Sequence, residues 1–145
     1  TQWRDTLAKY GRETELGTDL CIGYSTHIAE TEEKAINEAR LFFEENMKMF
    51  APLGFVRGLS DEQISALASG SAARTASLPT LEDGVKAGSW LCGPAELVTE
   101  KLMDVQSRYP GLEQINVGSP VGTPQIVILE QLERFANEVM PAFKK

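Results

Sequence analysis

The run GSWLCGPAELVTEKLMDVQSRYPGLEQINVG, residues 88–118, decides the fold class. Trp90 to Cys92 is a short apolar stretch that reads as a strand. Gly93 and Pro94 then start a helix, with Pro94 at its first position, where the missing N–H has no partner to lose. Leu97, Val98, Leu102, Val105 and Tyr109 recur at helical spacing, and Pro110 and Gly111 stop the run. LEQINVG supplies another strand, with Ile115 and Val117 on one face. A strand, a helix of this length and a strand again imply parallel strands joined by a right-handed crossover.

The same grammar extends upstream. In DLCIGYSTHIAE, Leu20, Ile22, Tyr24, Thr26 and Ile28 alternate with Cys21, Gly23, Ser25 and His27. Neither face is charged, which suits a buried strand over Leu20–Ile28, covered on both sides as in a parallel sheet. Thr31 is placed to cap a helix running to Phe50, and Glu32 and Glu33 sit where the helix dipole favours negative charge. Ala35, Ala39, Phe42, Phe43, Met47 and Phe50 form its apolar stripe, and Glu44 and Lys48 are an i, i+4 pair on the other face. Before the strand, Trp3, Leu7 and Tyr10 share one face of a short helix that Gly11 is suited to end.

Residues 51–87 break the pattern and read as a helical and loop insertion. Pro52, Gly54 and Gly58 interrupt it; Ser60 and Gln63 form a capping box, with Leu59 and Ile64 spaced as a hydrophobic staple. A short helix to about Ala68 follows, then the small, polar run 69–80, which reads as a mobile loop. Thr80 opens another short helix before Gly84 or Gly88. At the other end, SPVGTP turns the chain and Thr123 and Pro124 open the last helix. Its expected packing residues are Ile126, Val127, Leu129, Leu132, Phe135, Ala136, Val139 and Met140, with Pro141 ending it.

The fold expected is therefore α/β, with three parallel strands alternating with helices. Three such strands leave two open edges, so the sheet calls for further chain or another subunit. The absence of methionine at Thr1 is consistent with processing or with a chain cut from a longer one.

Composition narrows the partners. The 145 residues carry 42% hydrophobic residues, enough for a core, and a formal net charge of −7. Their basic residues are scattered, which argues against nucleic acid and anionic membrane. No apolar run reaches the about 20 residues needed to span a bilayer, and no signal peptide opens the chain. A cytoplasmic location is expected. Cys21 and Cys92 read as reduced, buried strand cysteines. No zinc pattern, nucleophile–base pair or P-loop is present.

Several motifs together resemble the C-terminal end of luciferase-like flavin-dependent monooxygenases. They are a helix start carrying glycine, proline and glutamate (Gly93, Pro94, Glu96), the short strand 114–118, and FANEVMP at Phe135–Pro141. THIAETEEKAINEAR is also similar to a strand of that family that ends in Ala-Glu-Thr and runs directly into a helix, and LAKYGR resembles the Gly-Arg turn before it. The resemblance implies that residues 1–145 are the C-terminal portion, about the last three βα units, of a (β/α)8 TIM barrel. The strands at 20–28, near 90 and at 114–118 would be the sixth, seventh and eighth, and 51–87 the insertion over the active site. It implies a monooxygenase or related oxidoreductase that oxidises a small organic substrate with O2 and reduced FMN, or a related flavin or deazaflavin. The first five strands, which hold most phosphate contacts in the family, are absent, so the chain alone is expected to be inactive. The alternative is a self-contained α/β binding or assembly module that completes its sheet as a homo-oligomer.

Against that frame a few residues carry chemistry. His27, the single histidine, lies near the C-terminal end of a parallel strand, where barrel enzymes place catalytic groups, and would serve as general base with Glu30 the nearest acid. Gly118 and Ser119 follow the last strand, where backbone amides can approach a cofactor. Asn116 and Trp90 are the candidates for substrate contact, Trp90 by stacking on a ring. Arg57 and Arg74 lie in the insertion, where one could pair with a substrate anion.

Overall fold

Three short parallel strands form the only sheet among the described residues: β1 (Cys21–Ile28), β2 (Trp90–Gly93) and β3 (Gln114–Gly118). The computed structural model describes residues 2–50, 53, 60–67 and 79–143, without the side chains of Lys48, Ile64 and Leu67. The helices are α1 (Gln2–Lys9), α2 (Glu32–Phe50), α3 (Asp61–Leu67), α4 (Leu81–Lys86), α5 (Ala95–Arg108) and α6 (Gln125–Arg134). A π-helical turn, Phe135–Val139, and a 3-10 turn, Met140–Phe143, prolong α6.

Local chemistry accounts for the helix starts. The Lys34 N–H donates to Thr31 Oγ1 at 3.1 Å, which caps α2 as its sequence implies. Ser60 and Gln63 form their reciprocal capping box on α3, at 2.9 and 3.2 Å. A second box joins Thr80 and Asp83 on α4, which runs through Gly84 rather than stopping before it. Pro94 and Pro124 are cap residues in extended conformation, one place before the first helical residue. Gly93 precedes α5 at φ +146°, and a Cβ there would meet Leu97 Cδ2 at 2.8 Å, so this turn requires glycine.

The strand order is β2-β1-β3. Ser25 to Ile28 pair with Trp90 to Gly93, and Cys21 to Ser25 pair with Gln114 to Gly118. Helices cover both faces at the C-terminal end of β1. On one side, Ala35, Ala39, Phe43 and Met47 of α2 and Leu81 of α4 pack on Trp90 and Cys92. On the other, Val98 and Leu102 of α5 and Val139 pack on Ile28 and Leu91. Each valine, leucine, isoleucine, phenylalanine or methionine among them contributes about 1.5–3 kcal/mol when fully buried. The outcome is a three-layer α/β/α arrangement.

This order departs from the barrel expectation. Consecutive strands of a (β/α)8 barrel are neighbours with every helix outside, which would put β2 in the middle. Here β1 is in the middle, and α2 and α5 lie on opposite faces, because the crossover from β2 to β3 passes back over β1. Right-handed crossovers running in both directions place helices on both faces.

Two further expectations are corrected. Cys21 is exposed, because no helix covers its end of β1; Cys92 alone is a buried cysteine. The last helix packs only in part as its apolar pattern implies: Val139 is buried and Phe135 packs beside it, but Ile126, Leu129, Leu132 and Met140 are exposed, and Gln131 is buried. The helix also docks through hydrogen bonds. The Ile28 N–H donates to Gln131 Oε1 at 2.5 Å, Gln131 Nε2 donates to the Ile28 carbonyl at 3.1 Å, and Arg134 Nη1 donates to the same carbonyl at 2.7 Å. β1 continues to Ile28 past its last pairing with β3, and these side chains stand in for the missing strand. Leu59, Arg57, Arg74, the run 69–78 and the side chains of Lys48 and Ile64 lie outside the described residues, and with them the staple, the loop and the Glu44–Lys48 pair.

Candidate functional site

The parallel register brings Gly23 beside Asn116 and Ser25 beside Gly118. Side chains alternate along a strand, so Cys21, Gly23, Ser25 and His27 share the α2 side of the sheet with Gln114, Asn116 and Gly118. α2 covers only the end of that face where Trp90 and Cys92 lie. The rest is uncovered among the described residues: Cys21, Gly23, Gln114, Asn116 and Gly118 are all exposed. A Cβ added at Gly23 or Gly118 would meet nothing within 4 Å. A glycine inside a strand with open space above it marks a place where another molecule can approach the backbone closely.

An open cavity of about 310 Å³ sits on this face, lined by Gly23, Ser25, Ser89, Asn116, Gly118 and Ser119 among others. Its floor is backbone and its rim carries a carboxamide and three hydroxyls, groups that can donate and accept. Open parallel α/β sheets bind ligands outside the carboxyl ends of their strands where the strand order reverses; this cavity meets the carboxyl end of β3 but the middle of β1. In the order β2-β1-β3 that reversal falls between β1 and β3, where the cavity lies.

Three of the residues expected from sequence, Asn116, Gly118 and Ser119, are thus brought together. Trp90 is not with them. It is 7% exposed and packs edge-on against Phe43, with ring centroids 5.3 Å apart, inside the α2 core. His27 is buried as well, at 5% exposure, on the same face as the floor but under α2. Its acidic partner is Glu38, with Nε2 and Oε2 3.0 Å apart, and not Glu30. Glu30 turns to Lys34 at 2.6 Å and to Arg134 at 3.7 Å, and Lys34 holds its carboxyl below the ordinary glutamate value. Burial pushes the Cys92 thiol up to about 12, so it is a poor nucleophile.

Sequence reading missed Glu38, Gly23, Ser25 and Ser89. Glu38 carried a signal: with Ala35 and Phe42 it lies at i, i+3 and i+7 on the buried side of α2. Gly23 also carried one, as a glycine inside a strand.

The cavity lining holds, among the described residues, no Lys or Arg to meet a phosphate tail. Among the described residues, no group of three or more His, Cys, Asp or Glu residues could hold a metal ion, and no helix is long and apolar enough to cross a membrane. Comparisons with family models, curated proteins and solved structures give no match. The class that fold and site define is a parallel, three-layer α/β protein with a polar, glycine-floored cleft.

Proposed function

We propose that the β1–β3 face receives the ring of FMN or a related flavin or deazaflavin, in an oxidoreductase of the luciferase-like kind that the motifs resemble. The observation that carries the proposal is the open space above Gly23 and Gly118, beside the Asn116 carboxamide. Gly23 and Gly118 would form the floor, Asn116 and Ser119 would hold the ring's polar edges, and His27 would act as base toward a small organic substrate. Reduced flavin, when bound, supplies electrons for oxidation with O2. The phosphate contacts would come from residues beyond this chain, so the 145 residues alone should bind flavin weakly and turn nothing over. A barrel would need further strands and β3 beside β2 instead of beside β1, so the β1–β3 face belongs to the observed strand order and not to the barrel.

The test is a flavin fluorescence titration with FMN of the wild type and of Gly23→Val and Gly118→Val. Valine suits a strand, so these variants fill the floor without breaking the sheet. Saturable quenching that weakens at least about tenfold, or about 1.4 kcal/mol, in either variant is the expected result. Equal binding by all three proteins, or none by the wild type, would remove the floor from the account.

A second reading is an assembly module. The open edges of β2 and β3 and the exposed Ile126, Leu129 and Leu132 favour it, since a second copy would cover them. A native mass of two chains together with no flavin binding would select this reading.

A further inference from the structure

His27 is buried but not isolated. Its Nε2 lies 3.0 Å from Glu38 Oε2, and its ring lies tilted against Phe42, with centroids 6.3 Å apart. A carboxylate oxygen can only accept, so Nε2 carries the hydrogen, and in a neutral ring Nδ1 is then the nitrogen with the lone pair. The other Glu38 oxygen lies 3.7 Å from Lys34 Nζ, so each carboxylate oxygen has its own partner. Lys34 is in turn fixed by Glu30 at 2.6 Å, and Glu30 by Arg134 at 3.7 Å. Arg134 returns to the strand through the carbonyl of Ile28, the residue after His27. The histidine side chain is 6% exposed and that of Glu38 is 44% exposed, so the carboxylate joins a buried imidazole to solvent.

We propose that Glu38 is the positioning residue for His27. It fixes the Nε2–H tautomer, leaves Nδ1 as the proton acceptor, and balances the imidazolium charge once Nδ1 has taken a proton. That proton later leaves Nδ1 for product or water, and the ring returns to its neutral form. The catalytic use of the pair rests on the flavin-site reading; the tautomer does not.

The experiment is nitrogen-15 and proton NMR of the imidazole in the purified chain, in mildly alkaline solution, for wild type, Glu38→Gln and Glu38→Ala. The wild type should show one neutral tautomer with a downfield, slowly exchanging Nε2–H. In Glu38→Ala that resonance should move upfield or be lost to exchange, and in Glu38→Gln it should weaken. A purely packing role for Glu38 would leave it in place. An Nδ1–H tautomer in the wild type, or an Nε2–H signal unchanged in both variants, would overturn the proposal. The wild-type spectrum decides this even if a variant fails to fold. FMN titration of the same samples reads the floor separately, and Glu38 variants should bind FMN as the wild type does.

Discussion

Gln131 shows how much one side chain can contribute where a sheet runs out. Its carboxamide reaches Ile28, 103 residues earlier, and satisfies both backbone groups that β3 is too short to reach. Replacing it with leucine keeps the helix and the bulk but strands the buried Ile28 N–H, while Arg134 still serves the carbonyl. An unsatisfied buried donor costs about 1–3 kcal/mol. Gln131→Leu should therefore lower unfolding stability by that amount in urea, and an unchanged midpoint would show that water replaces the amide. Periodicity could not show this pairing, because a buried glutamine in an apolar stripe looks like one imperfect position. His27 and Glu38 are similar: the histidine was legible, but its partner depends on how α2 lies over β1.

At the scale of elements, α2 and α4 are tied by Arg40 and Glu82, whose Nη2 and Oε1 are 2.6 Å apart. Hydrogen bonding from Arg40 holds the Glu82 carboxyl at about 2, below its usual 4.5. Because the folded value is depressed, the pair's contribution is present above about pH 4.5 and is lost as pH falls through about 2. The pair is exposed, so the effect should be small and screened by salt. Arg40→Met should lower the melting temperature at neutral pH, and its difference from wild type should shrink toward pH 2. A difference that grows on acidification would contradict this. Elements were the scale at which the sequence was most readable. Thr31, Ser60 with Gln63, and Thr80 each cap the helix their spacing implied, because capping is decided within a few residues. The last helix was misread in part, because its pattern marks Ile126 and Leu129 as apolar without saying what would cover them.

For the whole molecule, the parallel sheet was legible and its order was not. Alternating strands and helices fix parallel pairing, but β3 can add beside β2 or beside β1, and nothing local distinguishes the two. The observed order β2-β1-β3 places the reversal between β1 and β3, and with it the cleft of Gly23, Asn116 and Gly118. Gly118 and Ser119 were singled out in the sequence because they end or follow a strand, and Asn116 as a polar residue within one. Gly23 joined them only through the register. The most direct measurement is an amide correlation spectrum of the nitrogen-15-labelled chain, recorded during titration with oxidised FMN. The account predicts saturable shifts centred on Gly23, Ser25, Asn116, Gly118 and Ser119. Shifts confined to other residues, or none at saturating flavin, would contradict it.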